Sequence, residues 1–375
     1  MSASTRRPID SVELQAIFEQ FATQQRYHRG EPYGNGHIND TFAVYSDTGP
    51  NYILQRLNTH VFKKPVELME NVDRVCRHLQ AQLADQPDAD PTREAMTLVP
   101  DLTGRPYLLN EHGEYWRCYI FIALITSVDV VERAEQAYEA ARAFGRFQAL
   151  LADLPVPPLH ETIVDFHHTP KRFAALQAAI AADSEGRAAA CRAEIDYALS
   201  LGDMTTAITD GLASGELPLR VTHNDTKINN VLLDHRSQVG TCVIDLDTVM
   251  PGSALYDFGD LVRTATGHFA EDSEDLSTVY VDLERYAAVT SGYLSTAAAF
   301  LTPREIEMLP VGGLLMTYEV GIRFLTDYLQ GDIYFRTHRP DQNLHRCRTQ
   351  LAFVRDMLAH RADLDRCVAT ALAAV

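Results

Sequence analysis

The sequence of 375 residues lacks any apolar run long enough to cross a membrane. Its longest apolar stretch, Tyr119 to Ile125, has the length of a strand, whereas a membrane helix needs about 18 or more consecutive apolar residues. The segment from Met1 to Asp10 is polar and has no apolar core of the kind that a secretory signal needs. We therefore expect a cytoplasmic protein with no membrane association.

Paired cysteines are also missing. The six cysteines stand far apart, and none falls into a short paired spacing. This scatter excludes a disulfide framework and a zinc site of the usual kind, and it is typical of a reduced compartment.

Basic residues are scarce, with 33 Lys and Arg against 51 Asp and Glu, a formal net charge of −18. A surface with this charge repels phosphate backbones, which excludes nucleic acid as a partner. Apolar residues make up 46% of the chain, enough for large cores, and this excludes disorder as the main state. We expect a monomer whose partner is a small molecule.

The first third of the chain is rich in strand patterns around one helix. Strands are predicted over Thr41–Tyr45 and Asn51–Leu57. A helix is predicted over the segment in which apolar residues recur at steps of three and four, namely Met69, Val72, Cys76, Leu79 and Leu83. The runs Tyr107–Leu109 and Tyr115–Ile125 flank a turn and predict a hairpin.

The remainder of the chain has mainly helical periodicity. Helices are predicted at about 137–151, 171–182, 188–213, 275–301, 304–330 and 340–373. One β-like island, Val231–Leu233 and Thr241–Leu246, interrupts them. This order predicts an α+β fold with two lobes, a small β-rich N-lobe at residues 1–125 that ends in a hinge and a larger, mainly helical C-lobe at 126–375. A cleft between lobes is a common ligand site.

The strongest chemical signal is the segment Val221 to Asp234, which contains His223-x-Asp225 and, five residues later, Asn230. This is the catalytic-loop pattern of protein-kinase-like enzymes. Its spacing lets the Asp reach an acceptor hydroxyl while the Asn reaches a magnesium ion on the nucleotide phosphates. Lys227 could add positive charge at the transferring phosphoryl group, and we interpret His223 as a residue that holds the loop.

A carboxylate for the metal follows Asn230 by fifteen residues. Asp245 ends an apolar strand and is our candidate ligand, and Asp247, which points the same way by the strand period, is a second. The triplet Asp257-Phe258-Gly259 matches the Asp-Phe-Gly motif of protein kinases. It opens an apparent helix, and we predict that Asp257 caps that helix or bonds the catalytic loop.

A glycine turn precedes the first strand pair, with Gly34 and Gly36 before His37 and Asn39. Glycines let such a turn fold over phosphates, but Asn39 stands where the usual pattern has its third glycine. The usual strand lysine is missing as well. Gln55 occupies its place beside Arg56, either of which could touch phosphate oxygens. The carboxylate partner on the following helix could be Glu67 or Glu70.

These residues resemble the aminoglycoside phosphotransferase and choline kinase superfamily, which has the protein-kinase-like fold. Within it the chain is most similar to bacterial N-acetylhexosamine 1-kinases. The specific pieces are Gly36–Thr41, Leu54–Arg56, Leu68–Asn71, His223–Asn230, Val243–Gly252 and Arg323–Asp332 with Tyr334 and Phe335. The resemblance implies Mg-dependent transfer of the γ-phosphoryl group of ATP to the anomeric hydroxyl of GlcNAc or GalNAc.

The resemblance also implies roles for individual residues. Asp225 would be the general base, and Asn230 and Asp245 the magnesium ligands. Arg323 and Tyr334 would lie in the sugar pocket, with His37 and Asn224 nearby.

The glycine turn would cover the phosphates of the nucleotide, and the adenine would lie near the hinge at Ile120 to Thr126, with Ile122 as the candidate contact. Arg323 has a structural alternative, an ion pair with Glu319 or Asp327 on one helix face. His167 and His168 are interpreted as surface residues.

Two other functions stay open. A kinase of aminoglycosides, choline, another amino alcohol or another hexose would use the same loop with a different pocket. A nucleotide-binding pseudokinase is the alternative outside the enzymes, although Asp225, Asn230 and Asp245 are all present. A protein kinase is disfavoured, because only eleven residues separate Asp245 from Asp257 and no Ala-Pro-Glu motif follows.

Overall fold

A computed structural model describes residues 7–34, 38–46, 49–157 and 159–375. The first lobe contains a six-stranded antiparallel sheet in the order β1-β2-β3-β6-β4, with β5 paired to β6. Its elements are α1 (Ser11–Phe18), β1 (Arg29–Pro32), β2 (Asp40–Ser46), β3 (Gly49–Arg56), α2 (Pro65–Ala84), α3 (Pro91–Glu94), β4 (Leu98–Val99), β5 (Leu108–Leu109) and β6 (Tyr115–Ile120).

The two faces of this sheet have different surroundings. On the outer face, Leu54 of β3 and Trp116 and Cys118 of β6 are buried against α1. Alternate strand residues point to opposite faces, so Gln55 and Arg117 lie on the inner face. That face looks toward α2 and the second lobe, where Tyr119 joins the main core.

The second lobe consists of helices around two small sheets. The sheets are β10-β9-β7 and β11-β8. Their strands are β7 (Ile125–Thr126), β8 (Arg220–Thr222), β9 (Val231–Asp234), β10 (Gly240–Val243) and β11 (Met250–Gly252). The helices are α4 (Ala134–Leu150), α5 (Thr169–Ala182), α6 (Arg192–Ser200), α7 (Ala207–Ser214), α8 (Ala254–Ala265), α9 (Leu283–Ala297), α10 (Pro303–Leu329), α11 (Gln342–Ala359) and α12 (Arg361–Ala373).

Helix α10 is the central element of this lobe and packs against α5, α8 and α11. It crosses α8 closely at Gly259 and Gly312. A Cβ on Gly259 would lie 2.3 Å from the carbonyl oxygen of Gly312, so only glycine allows the contact. This crossing fixes α8, which begins beside the catalytic loop. Helix α10 is also apolar and long enough to span a membrane, but 83% of its most apolar window is buried inside the structure.

The predicted α+β layout with a β-rich first part and a helical remainder is confirmed, and several element boundaries differ from the prediction. The predicted hairpin forms between β5 and β6, but β6 ends at Ile120 and Ile125–Thr126 pairs with β9 in the other lobe. The predicted helix 188–213 is divided into α6 and α7 by a 3₁₀ turn at Gly202–Thr206. The predicted helix 340–373 ends and restarts at His360. Helix α9 begins only after Asp282, whose carboxylate caps it.

Candidate active site

The catalytic loop runs from β8 to β9, and the first turn of α8 holds its backbone. Asp257 in the first turn of α8 accepts hydrogen bonds from the backbone amides of His223 (2.9 Å) and Asn224 (2.7 Å). The side chain of Gln148 donates to the same carboxylate. Burial raises the pKa of Asp257, while these donors favour its charged form. The predicted bond from Asp257 to the catalytic loop is confirmed, and Ser253 caps α8 instead.

His223 supports the loop from its other side. The fully buried imidazole packs edge-on against Phe144 and Phe147. Its Nε2 lies 2.9 Å from the carbonyl oxygen of Ile244, and its Nδ1 accepts from the amide of Asp225 at 3.2 Å. His223 therefore links the two segments that carry the candidate base and the candidate metal ligand.

Asp225, Lys227 and Asn230 lie together. The Nζ of Lys227 contacts both carboxylate oxygens of Asp225, at 2.8 and 3.0 Å. The amide of Asn230 donates to the backbone carbonyl of Asp225 at 2.8 Å. The backbone amide of Ile244 donates to the carbonyl of Asn230 at 2.9 Å, so the residue before Asp245 is fastened to Asn230.

Asp245 follows β10 in a left-handed conformation, with φ of 61°. Burial, followed by the charges of Asp247 and Asp225, raises the pKa of Asp245 to about 6. Carboxylate and amide oxygens are the ligands that Mg²⁺ prefers, so Asp245 and Asn230 have the right chemistry for a divalent cation. Across the described residues no group of three or more His, Cys, Asp or Glu has a metal-binding arrangement. A site completed by phosphate oxygens does not require one.

Asp247 has other partners. Its Oδ2 accepts from the Nδ2 of Asn39 at 2.6 Å, and its Oδ1 forms an ion pair with Arg117. Both side chains of this ion pair are almost fully buried. The structure therefore places Asp247 between the lobes, with each oxygen engaged by the first lobe.

The glycine turn is described in part. Gly34 has φ of 76°, a conformation that favours glycine, whereas Gly36 and His37 lie outside the described residues. Asn39 accepts from the backbone amide of Asn58 at 3.0 Å while its amide group donates to Asp247. Before the turn, Tyr33 packs edge-on against Phe121, next to the half-buried Ile122 between β6 and β7.

Gln55 and Arg56 lie on opposite faces of the sheet. Gln55 donates to the hydroxyl of Thr41 and accepts from the Nε of Arg117, each at 2.9 Å. Arg56 pairs with Asp40 and Glu114 on the outer face. The structure does not bring Arg56 to the other candidate residues.

The candidate partners on α2 also lie elsewhere. Glu67 pairs with Lys64 at 2.9 Å, and Glu70 with His160 at 2.6 Å. Neither interaction involves Gln55 or Arg117. Arg117 on β6 is a cation that reaches the inner face from the first lobe, and it is not among the residues predicted from the sequence. Arg117 lies directly opposite Gln55 in the antiparallel pair of β3 and β6, and no local pattern in the sequence indicates this register.

Arg323 on α10 is half-buried among aromatic rings. Its guanidinium carbon lies 5.5 Å from the ring centre of Phe335 and 5.8 Å from those of Phe166 and Tyr334. The alternative ion pairs do not form, since Glu319 bonds His167 and Thr169, and Asp327 holds the amides of Ile333 to Phe335. Within the described ranges Arg323 has no carboxylate at ion-pair distance.

The loop that Asp327 fastens carries Tyr334, whose side chain is 71% exposed beside Arg323. Asn224 is placed differently. Its amide group donates to the carbonyls of Thr222 and Thr248, and its oxygen accepts from the hydroxyl of Thr222. The Asn224 side chain is buried below the loop, so the structure does not bring it to Arg323 and Tyr334.

The side chain of His167 is buried, so the prediction that it is a surface residue is wrong. It is only 7% exposed. Nδ1 lies 2.9 Å from the carboxylate of Glu319, and Nε2 lies 3.1 Å from the carbonyl oxygen of Asn224, a residue with φ of 64°. His168 caps α5 by accepting from Lys171. The contacts of His167 come from segments 57 and 152 residues away, which no local pattern indicates.

Comparison with known proteins gives a consistent result. Residues 29–289 match the family model described as APH, phosphotransferase enzyme family. At 16% identity, the structure of a microcompartment-associated aminopropanol kinase is similar with a TM-score of 0.63 over 94% of this chain and 98% of that one.

Two further structures are similar, each at 12% identity. An aminoglycoside phosphotransferase from Alicyclobacillus acidocaldarius subsp. acidocaldarius DSM 446 has a TM-score of 0.61 over 98% of this chain and 99% of that one. Amicoumacin kinase in complex with AMP-PNP, Ca²⁺ and Ami has a TM-score of 0.55 over 88% of both chains. These likenesses confirm the predicted bilobal kinase-like fold.

Proposed function

This chain belongs to the phosphotransferase enzyme family, and from that premise we propose that it is an N-acetylhexosamine 1-kinase. It would transfer the γ-phosphoryl group of ATP to the anomeric hydroxyl of GlcNAc or GalNAc. The observation that carries the choice of acceptor is Arg323, a half-buried guanidinium among aromatic rings with no carboxylate partner among the described residues.

The chemistry of this pocket favours a neutral acceptor that needs hydrogen-bond donors. A guanidinium donates to hydroxyl and acetamide oxygens, and aromatic rings such as Phe335 pack well against a sugar face. A cationic acceptor would instead require carboxylates. The two acidic residues that lie four positions from Arg323 on the same helix, Glu319 and Asp327, are already engaged by other partners. Arg323 and the exposed Tyr334 are therefore proposed sugar-binding residues.

The catalytic step is assigned to Asp225. Its carboxylate accepts a hydrogen bond from the sugar hydroxyl and takes the proton as the hydroxyl oxygen bonds the γ-phosphorus. The bond from that phosphorus to the bridging oxygen breaks, and ADP leaves with the electron pair. Lys227, which bridges both oxygens of Asp225, fixes their direction and places a positive charge beside the transferred group.

Asn230 and Asp245 are the proposed metal ligands. Mg²⁺ bound there would neutralise charge on the nucleotide phosphates. Amicoumacin kinase, which has a similar structure, contains AMP-PNP and Ca²⁺, and this supports the use of a nucleotide and a divalent cation. Gly34 and Asn39 at the glycine turn and Ile122 at the hinge are the proposed nucleotide contacts from the first lobe.

The decisive experiment measures ADP release with Mg-ATP and a panel of acceptors, namely GlcNAc, GalNAc, glucose, choline, 1-amino-2-propanol and an aminoglycoside. Phosphorus NMR then identifies the product. We expect an anomeric sugar phosphate from GlcNAc or GalNAc. The Arg323→Ala variant should raise the acceptor KM by about tenfold or more and leave the KM for ATP unchanged, since it removes a charged hydrogen-bond donor.

Two results would overturn the proposal in different ways. The similar structures include an aminopropanol kinase and an aminoglycoside phosphotransferase, which favours a cationic amino alcohol as the second candidate acceptor. Turnover of the cationic compounds alone would keep the catalytic residues and reject the sugar pocket. Nucleotide binding without turnover of any acceptor would favour the pseudokinase.

A further inference from the structure

The missing strand lysine leaves the phosphate site of the first lobe without its usual cation. Gln55 stands in the lysine position of β3. The residue directly opposite on β6 is Arg117, paired with Gln55 in the antiparallel register. Side chains in such a pair start about 5 Å apart and share one face of the sheet. A cation on β6 at Arg117 therefore reaches the region that a lysine in the place of Gln55 would reach.

Arg117 is buried deeply, with 1% exposure, yet it retains a charged partner. One of its terminal nitrogens, Nη1, pairs with Asp247, and its Nε donates to Gln55 at 2.9 Å. Burial opposes the charge, but the neighbouring carboxylate of Asp247 and the more distant Asp245 raise the pKa of Arg117 above its ordinary value. The guanidinium is thus a permanent positive charge beside the loop that carries Asp245 and Asp247, which we call the metal loop.

The same carboxylate joins a third segment. Asn39, at the end of the glycine turn, donates to the second oxygen of Asp247 at 2.6 Å. Asp247 therefore connects the glycine turn, strand β6 and the loop that carries Asp245. In protein kinases the corresponding link is an ion pair between the strand lysine and a helix glutamate. Here the carboxylate comes from the metal loop, while Glu67 and Glu70 on α2 pair with other residues.

We propose that the buried Arg117–Asp247 ion pair replaces the lysine–glutamate pair, and that it positions the glycine turn and the metal loop for the nucleotide phosphates. Asp247 is then a positioning residue and does not bind the metal. The proposal rests on the proposed use of a nucleoside triphosphate, but it does not depend on the identity of the acceptor.

The test compares nucleotide affinity in variants whose folding is checked by thermal unfolding. Arg117→Gln alone leaves Asp247 buried and uncompensated, so two double variants are made. The neutral-pair variant combines Arg117→Gln with Asp247→Asn and removes both charges. The swapped-cation variant combines Arg117→Gln with Gln55→Lys and returns a cation to the opposite strand position. Calorimetric titration of Mg-ADP, without acceptor, gives the dissociation constant of each.

We expect the neutral-pair variant to bind Mg-ADP about tenfold or more weakly and to have a lower kcat. The swapped-cation variant should bind Mg-ADP within about threefold of the wild type, because its cation faces the same carboxylate. As a control, Arg105→Gln removes an arginine that pairs with the buried Asp101 elsewhere in the first lobe. It should lower the unfolding temperature and leave the Mg-ADP affinity unchanged.

Two outcomes would overturn the inference. One is a folded neutral-pair variant that binds Mg-ADP as the wild type does. The other is a folded swapped-cation variant that binds no better than the neutral-pair variant. If the neutral-pair variant does not fold, the swapped-cation variant decides the question alone, by whether its affinity lies within about threefold of the wild type. Failure of the wild type to bind Mg-ADP would instead contradict the proposed function.

Discussion

Two buried aspartates hold the two halves of the candidate active site, and they do so by different means. Asp257 fixes the catalytic loop through backbone amides and Gln148, all within the second lobe. Asp247 fixes the part of the site proposed to hold the nucleotide phosphates, which we call the phosphate region and which comprises the end of the glycine turn at Asn39 and the loop that carries Asp245. It does so through Arg117 and Asn39, which belong to the first lobe. Amide donors are rigid and local, whereas the ion pair depends on how the lobes meet. We infer that the catalytic loop is formed independently of lobe position and that the phosphate region is not.

The largest effect should come from the reacting end of the catalytic loop. Asp225→Asn should lower kcat by about a thousandfold, because the amide cannot take the proton. The dissociation constant for Mg-ADP should stay within about threefold of the wild type, since the phosphate region is held separately. Steady-state kinetics and calorimetry measure the two effects. A variant that retains phosphotransfer within about tenfold of the wild type would refute the mechanism.

A change at Asp257 tests the local support directly. Asp257→Asn replaces one acceptor oxygen by a donor that faces the amides of His223 and Asn224. We expect kcat to fall by about a hundredfold and the free energy of unfolding to fall by about 2 kcal/mol.

The affinity of the Asp257→Asn variant for Mg-ADP shows whether the change acts on the catalytic loop alone or also on the phosphate region. It should change little, because the phosphate region does not include Asp257. A loss of Mg-ADP affinity as large as the fall in kcat would show that the catalytic loop and the phosphate region depend on each other. It would contradict the inference that they are held independently.

A smaller effect is expected at His167, which supports the loop at the carbonyl of Asn224. His167→Gln keeps a donor toward the carbonyl of Asn224 but loses the Nδ1 contact with Glu319 and the ring contact with Tyr256. It should lower kcat by about tenfold with little change in either KM, whereas His167→Phe, which has no donor, should lower it further. Equal kinetics in the two variants would show that the bond from His167 to the carbonyl of Asn224 does not support catalysis. Thermal unfolding provides the control for folding.

The difference between the two regions also explains what the sequence could predict. His223, Asp225 and Asn230 lie within eight consecutive residues, and Asp257 belongs to a recognisable motif, so the catalytic loop can be identified along the chain. The roles of Arg117 and His167 arise from strand register and helix packing. The contact from Arg117 to Asp247 spans 130 residues and that from His167 to Glu319 spans 152.

The face of the sheet on which a side chain lies is a second feature that the sequence alone does not reveal. Gln55 and Arg56 were equivalent candidates in the sequence, but the alternation of β3 turns one inward and the other outward. Which face is inward depends on where α1 packs, and a single strand does not reveal this. The helix boundaries at His360 and Gly202 were missed because apolar periodicity continues across both breaks.

A further prediction, on stability alone, concerns the loop that carries Asp245. Asp245 has a pKa near 6 in the folded protein against 3.8 in the unfolded chain, so its ionisation disfavours folding. The penalty is absent at low pH, grows as the pH rises from about 4 to about 6, and then stays constant at up to about 3 kcal/mol. Asp245→Asn removes this penalty. The variant should therefore be more stable than the wild type at pH 7.5.

This gain should shrink to about half at pH 5, where much of the carboxylate penalty has disappeared from the wild type. Thermal unfolding in a chelating buffer without nucleotide measures it as a shift of a few degrees. Asp234→Asn is a suitable contrast, because hydrogen bonds from Ser237, followed by Arg93, lower the pKa of Asp234. That substitution should destabilise the protein at pH 7.5. A gain from Asp245→Asn that does not change with pH would mean that the Asp245 carboxylate is not the source of the penalty.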